Sequence, residues 1–484
     1  MFYNSLTRKM KKQLTHENLK RFIEDFNLDQ DKDGRLILAI DVKSFYNSAS
    51  CIMQAKFENE EAVRKYGAKA KTYKYGKNDR YHPLKVKSIV MSDGHLVMST
   101  SPLAKKIYGF KNIMRLPDNQ IPKEKDFIIW KPHMAQFLFE SMKVFNIFKR
   151  FVAPLDIHVY SCDEAFLDIT QYWRRYAESP EAFCKMLQEI VKDELGYYMS
   201  AGLSYNMSMA KMCMDNEAKY NDDAEGHLFA RWTPDDVVDK LWEVPLIDVW
   251  NIGTNTVRDL NKMGITTMAE LALANPKDIQ RSLKSRGVAI YKRAWGIDEA
   301  VISRKGEYKP KIRGIGRGMT LPRPYFNYNE IELALCELAD SVAGILIDNK
   351  ERSATIHIGI GYEVHSETSN GRMHVGGQMK VTATNLMDEI HHIVTYLLDQ
   401  KYDHRMRPPV RRLAVRASTL CSASYFQYNL MESPEASDKR EAFDKLIIDL
   451  QKFPEGRQKV YRVSALNYAS NTLKRAGDIG GHAA

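Results

Sequence analysis

The segment Arg35 to Val42, RLILAIDV, constrains this chain more than any other: a short, nearly continuous apolar run, typical of a strand buried on both faces, with the carboxylate of Asp41 at its end. A second run, Pro154 to Thr170 (PLDIHVYSCDEAFLDIT), alternates like a strand, breaks at Ser161-Cys162-Asp163-Glu164 and resumes as AFLDIT. That pattern predicts a hairpin with two adjacent acids at its tip. A third predicted strand, Met199 to Ser204, leads into a helix whose basic residues include Lys211 and Lys219.

At 484 residues the chain has length for about three domains. Its 44% hydrophobic and 10% aromatic content supplies real cores and argues against disorder. The longest apolar stretches fall far short of the roughly 18 residues of a membrane span, so no transmembrane helix is expected. The N-terminus is basic, with no apolar core or cleavage site behind the charges, unlike a secretory signal. Six scattered cysteines, Cys51, Cys162, Cys184, Cys213, Cys336 and Cys421, form no CxxC pair and read as reduced thiols of a cytoplasmic protein. A net charge of +10 fits nucleic acid, an anionic membrane surface or simple solubility, and does not choose among them.

Leu19, Phe22, Ile23 and Phe26 have helical spacing, predicting an amphipathic helix over 16–27. Asp29, Asp31, Asp33 and Gly34 open like a calcium loop, but its twelfth position is Ile40 rather than a bidentate acid, so a solvated turn is expected instead. Trp242 to Asp298 reads as short helices punctuated by Gly253 and Gly264, and Ser303 to Arg313 as a basic linker. Strand-like runs then extend to Thr419 with one helix, Glu330 to Leu346, between the first two. A loop, SASYFQYNLMESPEASDKR, and a helix at Lys439 to Lys452 follow.

One strand-end acid and two hairpin acids are what a two-metal phosphoryl-transfer site needs, because ions roughly 3.5–4 Å apart must be held by carboxylate oxygens. Asp41, Asp163 and Glu164 taken alone are better explained as a strand-end acid and a polar turn. Their surroundings decide. DVKSFYNSAS resembles the first motif of the Y-family (translesion) DNA polymerases, D-x-(D/K)-x-F-(Y/F)-A-S; YSCDEAFLDIT resembles the family's Y-S-x-D-E-x-x-L-D; GLSYNMSMAKMCMDNEAKY resembles its G-x-x-x-N-x-x-x-A-K segment. VWNIG looks like the thumb helix-hairpin-helix, with Asn251 for the usual glycine, and GIGRGMTLPR like the start of the little finger. The closing RVSALNYASNTLKRAGDIGGHAA is similar to the UvrX/UmuC-like bacterial branch.

The resemblance implies an α+β right hand: an N-terminal extension (1–35), palm (36–43 and 116–240), fingers (44–115), helical thumb (241–302), basic linker (303–313), C-terminal α/β little finger (314–420) and a tail (421–484). It implies a low-fidelity, template-directed DNA polymerase using two Mg2+ ions, with Mn2+ as a substitute. Asp41, Asp163 and Glu164 would be catalytic, holding metal together with the Val42 carbonyl. Tyr46 matches the steric gate against a ribose 2′-hydroxyl, with Phe45 beneath the nucleotide. Lys105 and Lys219 match triphosphate cations; the fingers motif's tyrosine is replaced by Pro102, leaving Ser101 as a substitute hydroxyl, and Lys211 supports the site.

DNA contacts are expected at Asn251 and Gly253, at Arg313 and Arg317, and along little-finger strands including GQMKVTATN. The insert EAVRKYGAKAKTYKYGKNDRYHPLKVK interleaves lysines with Tyr66, Tyr73, Tyr75 and Tyr81, either to track DNA or as a solvated face. Gln427, Leu430 and Met431 resemble a clamp-docking peptide, implying the bacterial sliding clamp as a partner beside primer-template DNA and dNTP, for a monomeric enzyme. The alternatives are a non-catalytic DNA-binding accessory protein of the same fold, and a two-metal nuclease or cyclase.

Overall fold

The computed structural model describes residues 34–92, 95–221, 228–307, 313–363, 374–406, 408–424, 433–453, 456–473, 475–476, 478–479 and 482–483. The helix expected at 16–27, the turn at Asp29, Asp31 and Asp33, Lys309 and Lys311 of the linker, and the peptide at Gln427, Leu430 and Met431 lie outside the described residues. The chain divides into two compact units, Met1–Lys131 with Gln136–Tyr308, and Pro132–Ala135 with Lys309–Ala484.

In the first unit β1 (Ile37–Val42) is followed, after Ser44 in a left-handed conformation (φ 48°), by α1 (Phe45–Tyr66). Then come β2 (Lys87–Ser92), β3 (Leu96–Thr100), α2 (Pro102–Tyr108), β4 (Met114–Arg115), β5 (Phe127–Trp130) and α3 (Met134–Phe148). The hairpin β6 (Ile157–Val159) and β7 (Glu164–Asp168) precedes α4 (Pro180–Leu195), β8 (Met199–Ser204), α5 (Met207–Asn216) and β9 (Leu228–Arg231). Three further helices, α6 (Thr254–Asn261), α7 (Met268–Leu273) and α8 (Pro276–Ala294), bury their apolar faces in a core with Trp242, Leu260 and Trp295.

The apolar run places β1 in the middle of a five-stranded sheet of order β6-β7-β1-β8-β9, where Ile37, Leu38, Ala39 and Ile40 are buried. Register then sets the acids: Asp41 pairs with Glu164 on one side and Ser200 on the other. Helix α5 lies close on β8 because Gly202 has no side chain; a Cβ there would collide with the Met214 amide and the Ala210 carbonyl. Asn206 starts α5 by accepting from the Met209 amide at 2.9 Å, while its amide donates to the Gly296 carbonyl at 2.8 Å. The glycine and asparagine of the third motif therefore seat and start one helix.

Lys219 is not on α5 as expected. The helix ends at Asn216, and Lys219 stands on the following 3-10 turn, Ala218–Tyr220. In the insert, Tyr75 and Tyr81 are buried, so they correct the stacking expectation. Tyr75 donates to the Gly196 carbonyl at 3.2 Å and Tyr81 to Glu58 at 2.6 Å, fastening the insert down, whereas Tyr66 and Tyr73 are exposed.

The second unit is an antiparallel sheet of order β10-β13-β11-β12, formed by β10 (Gly314–Tyr325), β11 (Glu351–Tyr362), β12 (His374–Thr384) and β13 (Val410–Ser422). One face packs on α9 (Tyr328–Asp348) and α10 (Met387–Lys401) through Leu335, Leu338, Ile356, Val394 and Val415. The expected helix at Glu330 to Leu346 is α9; α10 was not anticipated. The tail helix α11 (Pro434–Gln451) begins five residues before the expected Lys439, because Ser433 caps it and Pro434 occupies its first turn.

Candidate active site

Two acids facing each other across neighbouring strands form the floor of the site. Helix α5 supplies its wall, with Lys211 and Asp215 one turn apart and Lys219 just beyond. Lys211 donates to Glu164 at 2.6 Å and pairs with Asp215 at 3.2 Å. Lys219 pairs with Asp41 and, at 2.9 Å, with Asp215. The result is one alternating chain of charge, Glu164–Lys211–Asp215–Lys219–Asp41.

Burial pushes the Asp41 carboxyl up to about 6, against the pull of the Lys219 ammonium, so the pair is still ionised at neutral pH. For Lys219, burial opposes the charge, but Asp41 and Asp215 outweigh it and hold the ammonium above its ordinary range. Asp41, Glu164 and Asp215 each offer one oxygen within 4.8 Å of the others. Hard carboxylate oxygens so grouped suit a divalent ion of the magnesium or manganese type. Asp215 was not anticipated, although the spacing K-x-x-x-D-x-x-x-K is legible in the third motif: it puts Lys211 and Asp215 on one helical face, with Lys219 on the turn just beyond.

Asp163 lies in the turn before β7. Its carboxylate accepts from the Ser161 hydroxyl at 2.6 Å, and the same oxygen of Ser161 accepts from the Glu164 amide at 3.1 Å. The Asp163 charge still reaches Asp41, where it favours protonation. Its carbonyl accepts from the Val42 amide at 2.9 Å, locking the end of β1 to the hairpin.

Tyr46 is half-buried, its ring 5.1 Å from that of Phe137 and its hydroxyl 3.8 Å from the Cys162 sulfur. Phe45 is fully buried against Tyr197, which corrects its placement beneath a nucleotide; the ring is core. Ser101 is corrected in the same way. It is wholly buried, donates to the Val86 carbonyl at 2.7 Å, and accepts from the Ser88 amide and from Ala104, capping α2. Lys105, one turn into that helix, is held below its ordinary pKa by loss of solvent while Asp41 favours its charge, which puts it on the acids' side of α2.

Near the hairpin, Tyr160 stacks edge-on against Trp250 at 5.8 Å and accepts from its indole at 3.2 Å. Asn251 takes the left-handed conformation expected of it (φ 67°), and Gly253, extended, stands at the start of α6 with open space where a side chain would be.

On the second unit, register separates two faces. Arg317 pairs with Val415 and so belongs to the helix-covered side, exposed at the edge strand, and Arg313 is ion-paired with Glu351. The open face instead presents Arg412, Arg416, Gln378 and Lys380. One transverse row on it, Gly318–Ala414–Gly359–Gly376, crosses all four strands with no side chain larger than a methyl.

The impB/mucB/samB family matches residues 40–215 and the C-terminal domain of that family residues 312–430. A Bacillus subtilis protein named UvrX for UV-damage repair is 29% identical over 450 residues, covering 92% of this chain and 97% of that one. The "DNA repair protein homolog YobH" of the same species is 32% identical over 182 residues, covering 37% of this chain and 80% of its own. Among solved structures, a Y-family DNA polymerase chimera of Dbh and Dpo4 shares the fold, with a TM-score of 0.55, 18% identity, and coverage of 80% of this chain and 99% of that one. With the family's two domains matched in order on a fold of this kind, the chain belongs to the impB/mucB/samB family of Y-family polymerases, in its UvrX-like branch.

Proposed function

We propose that the chain is a template-directed translesion DNA polymerase. The observation that carries this is the pairing of Asp41 with Glu164 on adjacent central strands, faced by Lys211 and Lys219 and bordered by the half-buried Tyr46. Relatives named DNA polymerase IV support it, one from Bacillus subtilis being 27% identical over 452 residues. In the reaction the primer 3′-oxygen bonds to the α-phosphorus of a dNTP, the bridging P–O bond breaks and pyrophosphate leaves.

Asp41, Glu164, Asp163 and the Val42 carbonyl would hold two Mg2+ ions, or Mn2+, which when bound supply charge stabilisation and a more acidic 3′-hydroxyl. The lysines bring positive charge to the triphosphate: Lys219 at the acids and Lys105 from α2. Tyr46 closes against the sugar. We assign palm to 36–43 and 116–240, fingers to 44–115, thumb to 241–302, linker to 303–313 and little finger to 314–420, with the tail from 421 carrying a clamp peptide at Gln427, Leu430 and Met431. Duplex phosphates would meet the Asn251 turn and the open face of the little finger, in a monomeric cytoplasmic enzyme. An accessory protein that binds DNA without chemistry would have no use for the lysine-faced acids.

Primer extension on undamaged and abasic templates, wild type beside Glu164→Ala, is the test. Wild type extends both; the variant loses at least about a thousandfold in rate yet retains primer-template binding. Equal extension by the variant, or none by wild type with both metals tried, rejects the reading.

A further inference from the structure

The polymerase reading gives Asp215 no role, although its oxygen lies among those of Asp41 and Glu164, and it is the middle of the charge chain. It sits four residues after Lys211 and four before Lys219, touching both, while each lysine reaches on to one acid of the sheet. Its side chain is 30% exposed, that of Lys211 only 8%. Counted as charges, three carboxylates and two ammoniums leave the group at −1. Without Asp215 the remaining two acids and two lysines would be matched one to one, with nothing drawing the ammoniums away from Asp41 and Glu164.

We infer that Asp215 is a positioning residue that shares Lys211 and Lys219 with the metal-binding acids, so that these lysines can yield Asp41 and Glu164 to divalent ions without losing a partner. In the metal-free protein the ammoniums cover the two acids. As ions take the Asp41 and Glu164 oxygens, Asp215 keeps Lys219 beside the site at the place where a triphosphate arrives. The residue thereby couples metal loading to nucleotide capture, through the lysines and not through contact with substrate. This rests on the polymerase reading and concerns a residue that reading leaves idle.

The test uses the full chain with Asp215→Asn and Asp215→Glu. Titration of Mn2+ into DNA-free protein, followed by the electron paramagnetic resonance of free Mn2+, reads metal affinity without activity. The Asn variant is expected to bind Mn2+ about tenfold more weakly and to raise the dNTP KM about tenfold, with a fall in kcat at saturation below about threefold. The Glu variant restores both constants. In a Lys219→Gln background the Asn substitution should no longer raise the dNTP KM, because the lysine it positions is gone. Asp215→Ser serves if Asn lowers the melting temperature. Unchanged Mn2+ affinity and KM overturn the inference, as does full additivity with Lys219→Gln. A collapse of kcat with no shift in either constant also overturns it, and places Asp215 in the chemical step rather than in metal binding or in positioning the lysines. If wild type itself fails to extend a primer, the polymerase reading falls instead, and the Mn2+ titration still decides the role of Asp215.

Discussion

The Tyr46 hydroxyl points at the Cys162 sulfur, 3.8 Å away, joining the start of α1 to the hairpin that carries the acids. Burial, then this contact, hold the phenol well above its ordinary pKa, so it stays a neutral donor. If the ring is the sugar gate, Tyr46→Ala raises ribonucleotide insertion relative to deoxynucleotide by on the order of a hundredfold. Cys162→Ala, which frees the hydroxyl but leaves the ring against Phe137, raises it only severalfold. Competitive insertion of rNTP and dNTP measures both; an unmoved preference in Tyr46→Ala rejects the gate.

Gly202 sits beneath α5, and Gly202→Ala forces that helix off β8. A cost of ~1–3 kcal/mol is expected from such overpacking. Because α5 carries Lys211 and Asp215, synthesis should drop further than the fraction folded. Calorimetry beside primer extension separates the two; a wild-type melt would show that α5 does not rest on this position.

Ser101 and Lys105 share α2 but should fail differently. Ser101→Ala removes a cap and a buried hydroxyl, costing ~1–3 kcal/mol of stability with little change in dNTP KM. Lys105→Ala leaves the melt near wild type and raises the KM. A reversed pattern would return Ser101 to the nucleotide.

His82 fastens the insert to the segment before β8. The Leu84 amide donates to its Nδ1 at 3.2 Å, so Nε2 carries the proton and donates to the Tyr198 hydroxyl at 3.1 Å. Burial, with Lys85 nearby, holds its pKa below the ordinary value, and protonation would set a second donor against the Leu84 amide. The unfolded chain therefore binds the extra proton more readily. This contribution to stability is complete above about pH 6.5, the unfolded value, and is lost as the pH falls below it. Thermal melts at about pH 7.5 and about pH 5.5 should differ more for wild type than for His82→Gln; an equal difference rejects the assignment.

The sequence was most informative where one residue has one structural duty. RLILAIDV reads as a strand buried on both faces and is one, and Asn251 in place of glycine announced a positive φ that the backbone adopts. It was least informative where a duty depends on distant partners. Ser101 and Phe45 have the chemistry of nucleotide contacts, but Ser88, Val86 and Tyr197, brought in from elsewhere, consume them. Tyr75 and Tyr81 belong to a basic, polar stretch, and only Gly196 and Glu58 reveal that they face inward. Asp215 was visible all along in its i, i+4 spacing, yet a carboxylate between two lysines on a helix is ordinarily a solvated ladder. Its meaning came from Asp41 and Glu164 closing the chain at both ends.

Because Asp41 and Glu164 are partners in one ladder, their separation is a lattice constant of the sheet rather than a matter of side-chain fit. Rotamers and loops can drift without detuning it. The tolerance runs out abruptly along the chain direction: deleting a single residue between Leu36 and Ile40 would swap the two faces of the strand, turning Asp41 into the core on the other side and offering Val42 where a carboxylate belongs. Evolution can trim the lysines, the gate and the insert by degrees, but the two acids can be moved only in steps of two residues.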